Sequence, residues 1–131
     1  MLTERLIIAT KWLKNHATTE SQKIGYFGAS TGSAAALIAA AKLHEQISAV
    51  VSRGGRPDLA YEYLGSVTAP TLLIVGELDY DVIPLNEYAY QLLRHVKKIT
   101  IIPGATHLFE EPGTLELAAK ESVDWFTASM L

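Results

Sequence analysis

Ile24-Gly25-Tyr26-Phe27-Gly28-Ala29-Ser30-Thr31-Gly32-Ser33 leads from an apolar stretch through Gly-x-Ser-x-Gly into an alanine-rich segment, Ala34 to Ala41. It reads as a buried strand, a tight turn and a helix. In such a strand-to-helix turn the central serine is pushed into a strained backbone conformation with its hydroxyl exposed, so its neighbours must be small. Gly28, Ala29 and Gly32 meet that demand. Ser30 is therefore a candidate nucleophile, and a purely structural elbow is the alternative.

Two later segments supply the groups that a nucleophilic serine needs. Thr71-Leu72-Leu73-Ile74-Val75-Gly76 is a β-rich apolar run without polar alternation, which suits a strand buried on both faces. Glu77-Leu78-Asp79 follows its C-terminal end, so Asp79 is placed to orient a histidine. Asp81, two residues on, is the alternative acid. Lys98 to Ile102 reads as a further strand, and Pro103-Gly104-Ala105-Thr106-His107 leaves it. Functional groups in open parallel sheets gather outside the carboxyl ends of the strands. Three strands would then deliver Ser30, Asp79 and His107 to one rim, where serine attacks, histidine moves the proton and aspartate holds the imidazole. For Asp79 the alternative is a loop cap or ion pair, and for His107 a histidine bonded to backbone.

The remaining pattern is one of alternation. Helices are predicted over Thr3 to Asn15, Thr31 to Leu43, Leu85 to Val96 and Thr114 to Ser129, with a short one near Leu59 to Tyr63. Strands are predicted over Lys23 to Phe27, Ile47 to Ser52, Thr71 to Val75 and Lys98 to Ile102. The first helix has Leu2, Leu6, Ala9 and Leu13 along one stripe, with Ile8 and Trp12 beside it. Alternating strands and helices imply an α/β fold with about four parallel strands joined by right-handed crossovers, flanked by helices in three layers. Residues 1–131 read as a single domain.

Composition narrows the function classes. Hydrophobic residues make up 49% of the chain and the formal net charge is −3, so no basic surface suggests nucleic acid. There is no cysteine, which excludes disulfides and thiolate chemistry in this segment and is compatible with a cytoplasmic location. The longest apolar run is too short to span a bilayer, and Met1-Leu2-Thr3-Glu4-Arg5 lacks the layout of a signal peptide. His16, His44 and His95 have no metal-ligand spacing, and no metal or cofactor is expected. Arg53 and Arg56 lie in the loop leaving the second strand; Arg53 is a candidate to bind a substrate carboxylate or phosphate, with a structural ion pair as the alternative. Glu110 and Glu111 read as helix-capping or solvated groups.

The sequence resembles the C-terminal half of the α/β-hydrolase family, in its dienelactone-hydrolase-like branch. The resemblance rests on Gly25 to Gly32, Val51-Ser52-Arg53-Gly54-Gly55-Arg56-Pro57-Asp58-Leu59, Ala69-Pro70-Thr71-Leu72-Leu73-Ile74-Val75-Gly76 and Pro103-Gly104-Ala105-Thr106-His107-Leu108-Phe109. It is similar to the hydrolase-like domain that some bacterial proteins carry fused to a phosphoribosyltransferase domain. The order Ser30, Asp79, His107 matches the family's triad, and Gly76-x-x-Asp79 favours Asp79 over Asp81. The implied activity is that of a serine esterase on a small acyl substrate, with the Thr31 amide as one oxyanion donor. The rival expectation is a non-catalytic interaction module or half-domain completed by a partner chain.

The resemblance also creates a physical problem. In the family the nucleophile's strand lies inside the sheet, whereas here nothing is left to pair its outer side, so Ile24, Tyr26 and Phe27 are expected on an exposed edge. Such edges are normally paired or covered. A homodimer through that edge is the expected solution.

Overall fold

The structure, a computed structural model, describes residues 2–16 and 18–131. Four strands form one parallel sheet in the order β1 (Gly25–Ala29), β2 (Ala49–Arg53), β3 (Thr71–Gly76), β4 (Lys97–Ile102). The helices are α1 (Leu2–Asn15), α2 (Thr31–Leu43), α3 (Ile83–Leu92) and α4 (Thr114–Met130). A 3₁₀ segment over Pro57–Ser66 stands where the short helix is predicted. The strand register pairs Ala29 with Arg53, Arg53 with Ile74 and Gly76 with Ile102, so the carboxyl ends of all four strands open on one rim.

Two cores sandwich the sheet. Tyr26, Val50 and Leu73 project to one face and pack with Leu37, Ala40, Leu64 and Ala89. Val51, Leu72, Ile74 and Ile102 project to the other and pack with Phe109 and Ala118, so α4 covers this face. The side-chain alternation of a strand explains why continuous apolar runs are needed: neighbouring residues serve opposite cores.

Three local readings change. In α1 the inward stripe is Leu6, Ile7 and Thr10, and Leu2, Ile8 and Trp12 face outward. The rotation buries a hydroxyl because it has partners: Thr10 Oγ1 donates to the Leu6 carbonyl at 2.8 Å and bonds to the Tyr26 hydroxyl. Tyr26 is therefore buried beneath α1, not exposed on the sheet edge. Helix α3 stops at Leu92, short of the predicted Val96, because Leu93 turns extended and Lys97 Nζ donates to the Tyr90 and Leu93 carbonyls. Val96 is exposed.

Strand β1 stands at the edge of the sheet. Among the described residues no strand pairs with its outer side, and Phe27 on it is 52% exposed.

Candidate active site

The turn between β1 and α2 places Ser30 at φ 52°, ψ −124°, a positive φ that costs a non-glycine residue on the order of 1–3 kcal/mol. Backbone bonds hold it there. Ser30 N donates to the Arg53 carbonyl at 3.3 Å, while Arg56 N and Ser33 N each donate to the Ser30 carbonyl at 3.1 Å. The buried Ser33 hydroxyl donates to the Gly28 carbonyl at 2.9 Å, bracing the elbow from inside. A Cβ on Gly28 would lie 2.6 Å from the Gly32 carbonyl oxygen, so only glycine lets the strand and helix approach this closely. Gly32 is different: a Cβ there would meet nothing within 4 Å.

On the opposite half of the rim, Asp79 and His107 meet. His107 Nδ1 lies 2.7 Å from Asp79 Oδ2, with the Asp79 side chain 10% exposed. A carboxylate oxygen accepts, so the hydrogen of this contact belongs to His107 Nδ1 and Nε2 is the ring nitrogen left outside it. Asp81 is exposed and makes no such contact. The approach of the two loops depends on Gly76, where a Cβ would lie 2.4 Å from the Ala105 carbonyl oxygen. Glu77 N donates to the Ile102 carbonyl at 3.0 Å and Leu78 N to that of Ala105 at 2.9 Å, continuing the sheet into the loops.

Gly54 joins the two halves. It follows Arg53, whose carbonyl receives the Ser30 amide, and a Cβ on it would lie 3.4 Å from His107 Nδ1. Buried Asn86 steadies this loop by donating from Nδ2 to the Gly55 carbonyl at 3.2 Å. Among the described residues the Ser30 hydroxyl itself has no hydrogen bond. The Thr31 amide lies in the first turn of α2, where N–H groups have no intrahelical partner.

The arginines separate. Arg56 forms a two-pronged pair with Asp58, both contacts at 2.9 Å, and this hydrogen bonding holds the Asp58 carboxyl below its ordinary range. Arg53 has no carboxylate partner among the described residues; its guanidinium lies 5.1 Å from the Phe109 ring centroid. Its side chain lines an apolar groove of about 370 Å³ between Phe27 and α4, shared with Leu115, Val123 and Phe126. A second groove, about 400 Å³, runs along the free side of β1 between Leu2, Leu6, Gly28, Gly32 and Ala36.

Sequence reasoning missed Glu111. Its carboxylate accepts from Thr106 Oγ1 at 2.6 Å and from Thr106 N at 2.9 Å, and the hydroxyl contact, with the amide second, holds the Glu111 carboxyl below its ordinary range. The signal is a carboxylate five residues after a threonine in a short loop, which no helix or strand period reveals. Among the described residues no group of three or more His, Asp or Glu is placed to hold a metal ion, and no helix is long and apolar enough to cross a membrane.

Comparisons with known proteins agree with this fold. Residues 8–64 match the family described as BAAT / Acyl-CoA thioester hydrolase C terminal. A Mycobacterium tuberculosis protein bearing the name of a phosphoribosyl transferase is 57% identical over 126 residues, covering 96% of this chain and 28% of its own length. The dienelactone hydrolase of Anabaena variabilis superposes with a TM-score of 0.96 at 53% identity, over 98% of this chain and 60% of that one. The esterase domain of a Rhodothermus marinus protein, 19% identical, shares the fold with a TM-score of 0.82 over 98% of this chain and 69% of that one. This chain thus spans little more than a quarter of the mycobacterial relative and under two thirds of the dienelactone hydrolase. It carries the C-terminal part of the α/β-hydrolase fold and resembles the dienelactone-hydrolase-like branch of that family.

Proposed function

We propose that this chain carries the nucleophile, base and acid of a serine hydrolase that cleaves an ester or related acyl compound. The observation that carries the proposal is the 2.7 Å contact between His107 Nδ1 and Asp79 Oδ2, on the same rim as a serine with a strained positive φ. In the proposed reaction Ser30 Oγ attacks the acyl carbon while His107 Nε2 takes its proton. The imidazolium, steadied by Asp79, then protonates the departing alkoxide, leaving an acyl-enzyme that water hydrolyses through the same histidine. The Thr31 amide would donate to the oxyanion. Arg53, without a carboxylate partner among the described residues, would favour substrates bearing a carboxylate or phosphate.

A second reading has its own support. Only one oxyanion amide is assigned, and the β1 edge is unpaired among the described residues. A non-catalytic interaction module, or a half-domain completed by a partner chain, fits both features. Labelling by a fluorophosphonate probe separates the readings. Modification of Ser30 supports the hydrolase, and a chain that stays unlabelled in every assembly state is a module.

The same edge underlies the proposed partner. A homodimer across β1 would pair or cover its backbone and bring a second chain to within reach of Ser30. Light scattering at micromolar concentration tests this, with Phe27→Lys as the surface probe because Tyr26 is buried. A monomer unaffected by Phe27→Lys removes the dimer.

A further inference from the structure

We propose that Glu111 and Glu77 are positioning residues that clamp the His107 loop from its two ends, a role that rests on His107 being the catalytic base. The loop from Pro103 to Glu111 contains no regular structure and two residues of positive φ, Gly104 at 71° and Phe109 at 56°. Packing holds it at only two points, the buried Ala105 and Phe109. Pro103, Gly104, Thr106, Leu108 and Glu110 are exposed, so burial does not fix the backbone on either side of His107. Backbone bonds from Leu78 N to the Ala105 carbonyl and from Phe109 N to that of Thr106 hold part of it, and two carboxylates add the remaining ties.

Before the histidine, Gly104 N donates to Glu77 Oε1 at 3.0 Å. At the histidine, Thr106 donates from both its amide and its hydroxyl to the two oxygens of Glu111, at 2.9 and 2.6 Å. Hydrogen bonds to an ionised acceptor are shorter and roughly twice as strong as neutral ones. Both carboxylates are themselves rooted in fixed structure. Glu77 N bonds to the Ile102 carbonyl of β4, while the Glu111 carbonyl receives the hydroxyl and amide of buried Thr114 at the start of α4. The resulting chain runs from α4 through Glu111 and Thr106 to His107 and on to Asp79. Neither glutamate touches the reacting atoms; each acts through the loop it holds. Misplacing a catalytic group by about 1 Å costs roughly a hundredfold in rate, so such a clamp bears on turnover without contacting substrate.

The experiment uses the whole 131-residue chain and compares Glu111→Ala, Glu111→Gln, Glu77→Ala and Thr106→Val with Glu110→Ala. Glu110 is the control: it is adjacent and exposed and makes no hydrogen bond or ion pair among the described residues. The first readout is the proton resonance of His107 Nδ1–H in its bond to Asp79, which needs no activity. The second is kcat and KM for a neutral activated ester. Glu111→Ala and Glu77→Ala should broaden or lose the resonance and lower kcat by about ten- to a hundredfold, with KM within about twofold. Glu111→Gln should recover part of both, and Glu110→Ala should match the parent. If Glu111→Ala does not fold, Thr106→Val, which removes one hydroxyl, carries the same expectation at smaller amplitude. An unchanged resonance with parental kcat in the glutamate variants overturns the clamp and leaves the hydrolase reading standing. A parent chain without esterase activity defeats the hydrolase reading, while the resonance still decides whether the loop is clamped.

Discussion

Gly76 and Gly32 sit on opposite halves of the same rim and answer the same question differently. A Cβ on Gly76 would lie 2.4 Å from a backbone oxygen, whereas one on Gly32 would meet nothing within 4 Å. Around Gly76 the chain is closed: β3 and β4 pair along their full length, the Glu77 and Leu78 amides donate to the Ile102 and Ala105 carbonyls, and Asp79 meets His107. Around Gly32 it is open. Among the described residues no strand pairs with the outer side of β1, Phe27 is 52% exposed, and a groove runs beside the Ser30 turn. The Asp79–His107 half of the candidate site is built within the described residues, and the Ser30 half presents an open surface.

The largest effects should fall on the chemistry that joins the halves. Ser30→Ala and His107→Ala should each lower hydrolysis of an activated ester by about a thousandfold or more, and the double variant should be little worse, because residues acting as a unit lose function together. Retained esterase turnover in Ser30→Ala would remove the nucleophile from the open half. Asp79→Asn should be nearly as severe, since it disturbs the tautomer of His107, whereas Asp81→Asn, on an exposed residue, should be within about twofold of the parent.

A smaller but more telling effect concerns assembly. One oxyanion donor is typically worth about a hundredfold or more in turnover. If a second polypeptide surface supplies a donor beside Thr31, specific activity per chain should rise with protein concentration, and Phe27→Lys should suppress that rise. Activity strictly proportional to concentration, unaltered in Phe27→Lys, would show that the open half needs no partner.

The contrast also explains what could be read without coordinates. The order of strands, the elbow at Ser30 and the exits at Asp79 and His107 were legible because each is a β-rich apolar run ending in a glycine turn, and those signals are local. The stripe of α1 was not: whether Thr10 faces inward depends on Tyr26, sixteen residues away, offering its hydroxyl. The end of α3 was hidden for the same reason, because the Lys97 ammonium that caps it belongs to β4. Glu111 was misplaced because its partner is a loop amide, and loops carry no period. Sequence patterns report which face is apolar, and they are silent on polar groups that pair across elements.

Substitution of Gly76 by alanine should be strongly destabilising, because the added methyl meets the Ala105 backbone, which cannot swing aside as a side chain would; a loss of about 3 kcal/mol or more in denaturant unfolding is expected. A stability within error of the parent would mean that the two loops are not locked as their hydrogen bonds indicate. Gly32→Ala is the matching probe of the open half, and the smallest effect. Gly32 lies inside α2 without a positive φ, so alanine should be neutral or stabilise the isolated chain by about 0.5 kcal/mol through its higher helix propensity. The informative outcome is a change of sign. When a partner surface packs tightly on this turn, the same methyl that is harmless in the free chain should weaken association, lowering the assembled fraction in sedimentation while leaving monomer stability intact. Gly32→Ala that leaves both unfolding and assembly unchanged would mean that whatever covers β1 does not reach the elbow, and the source of any second oxyanion donor would then lie elsewhere on the rim.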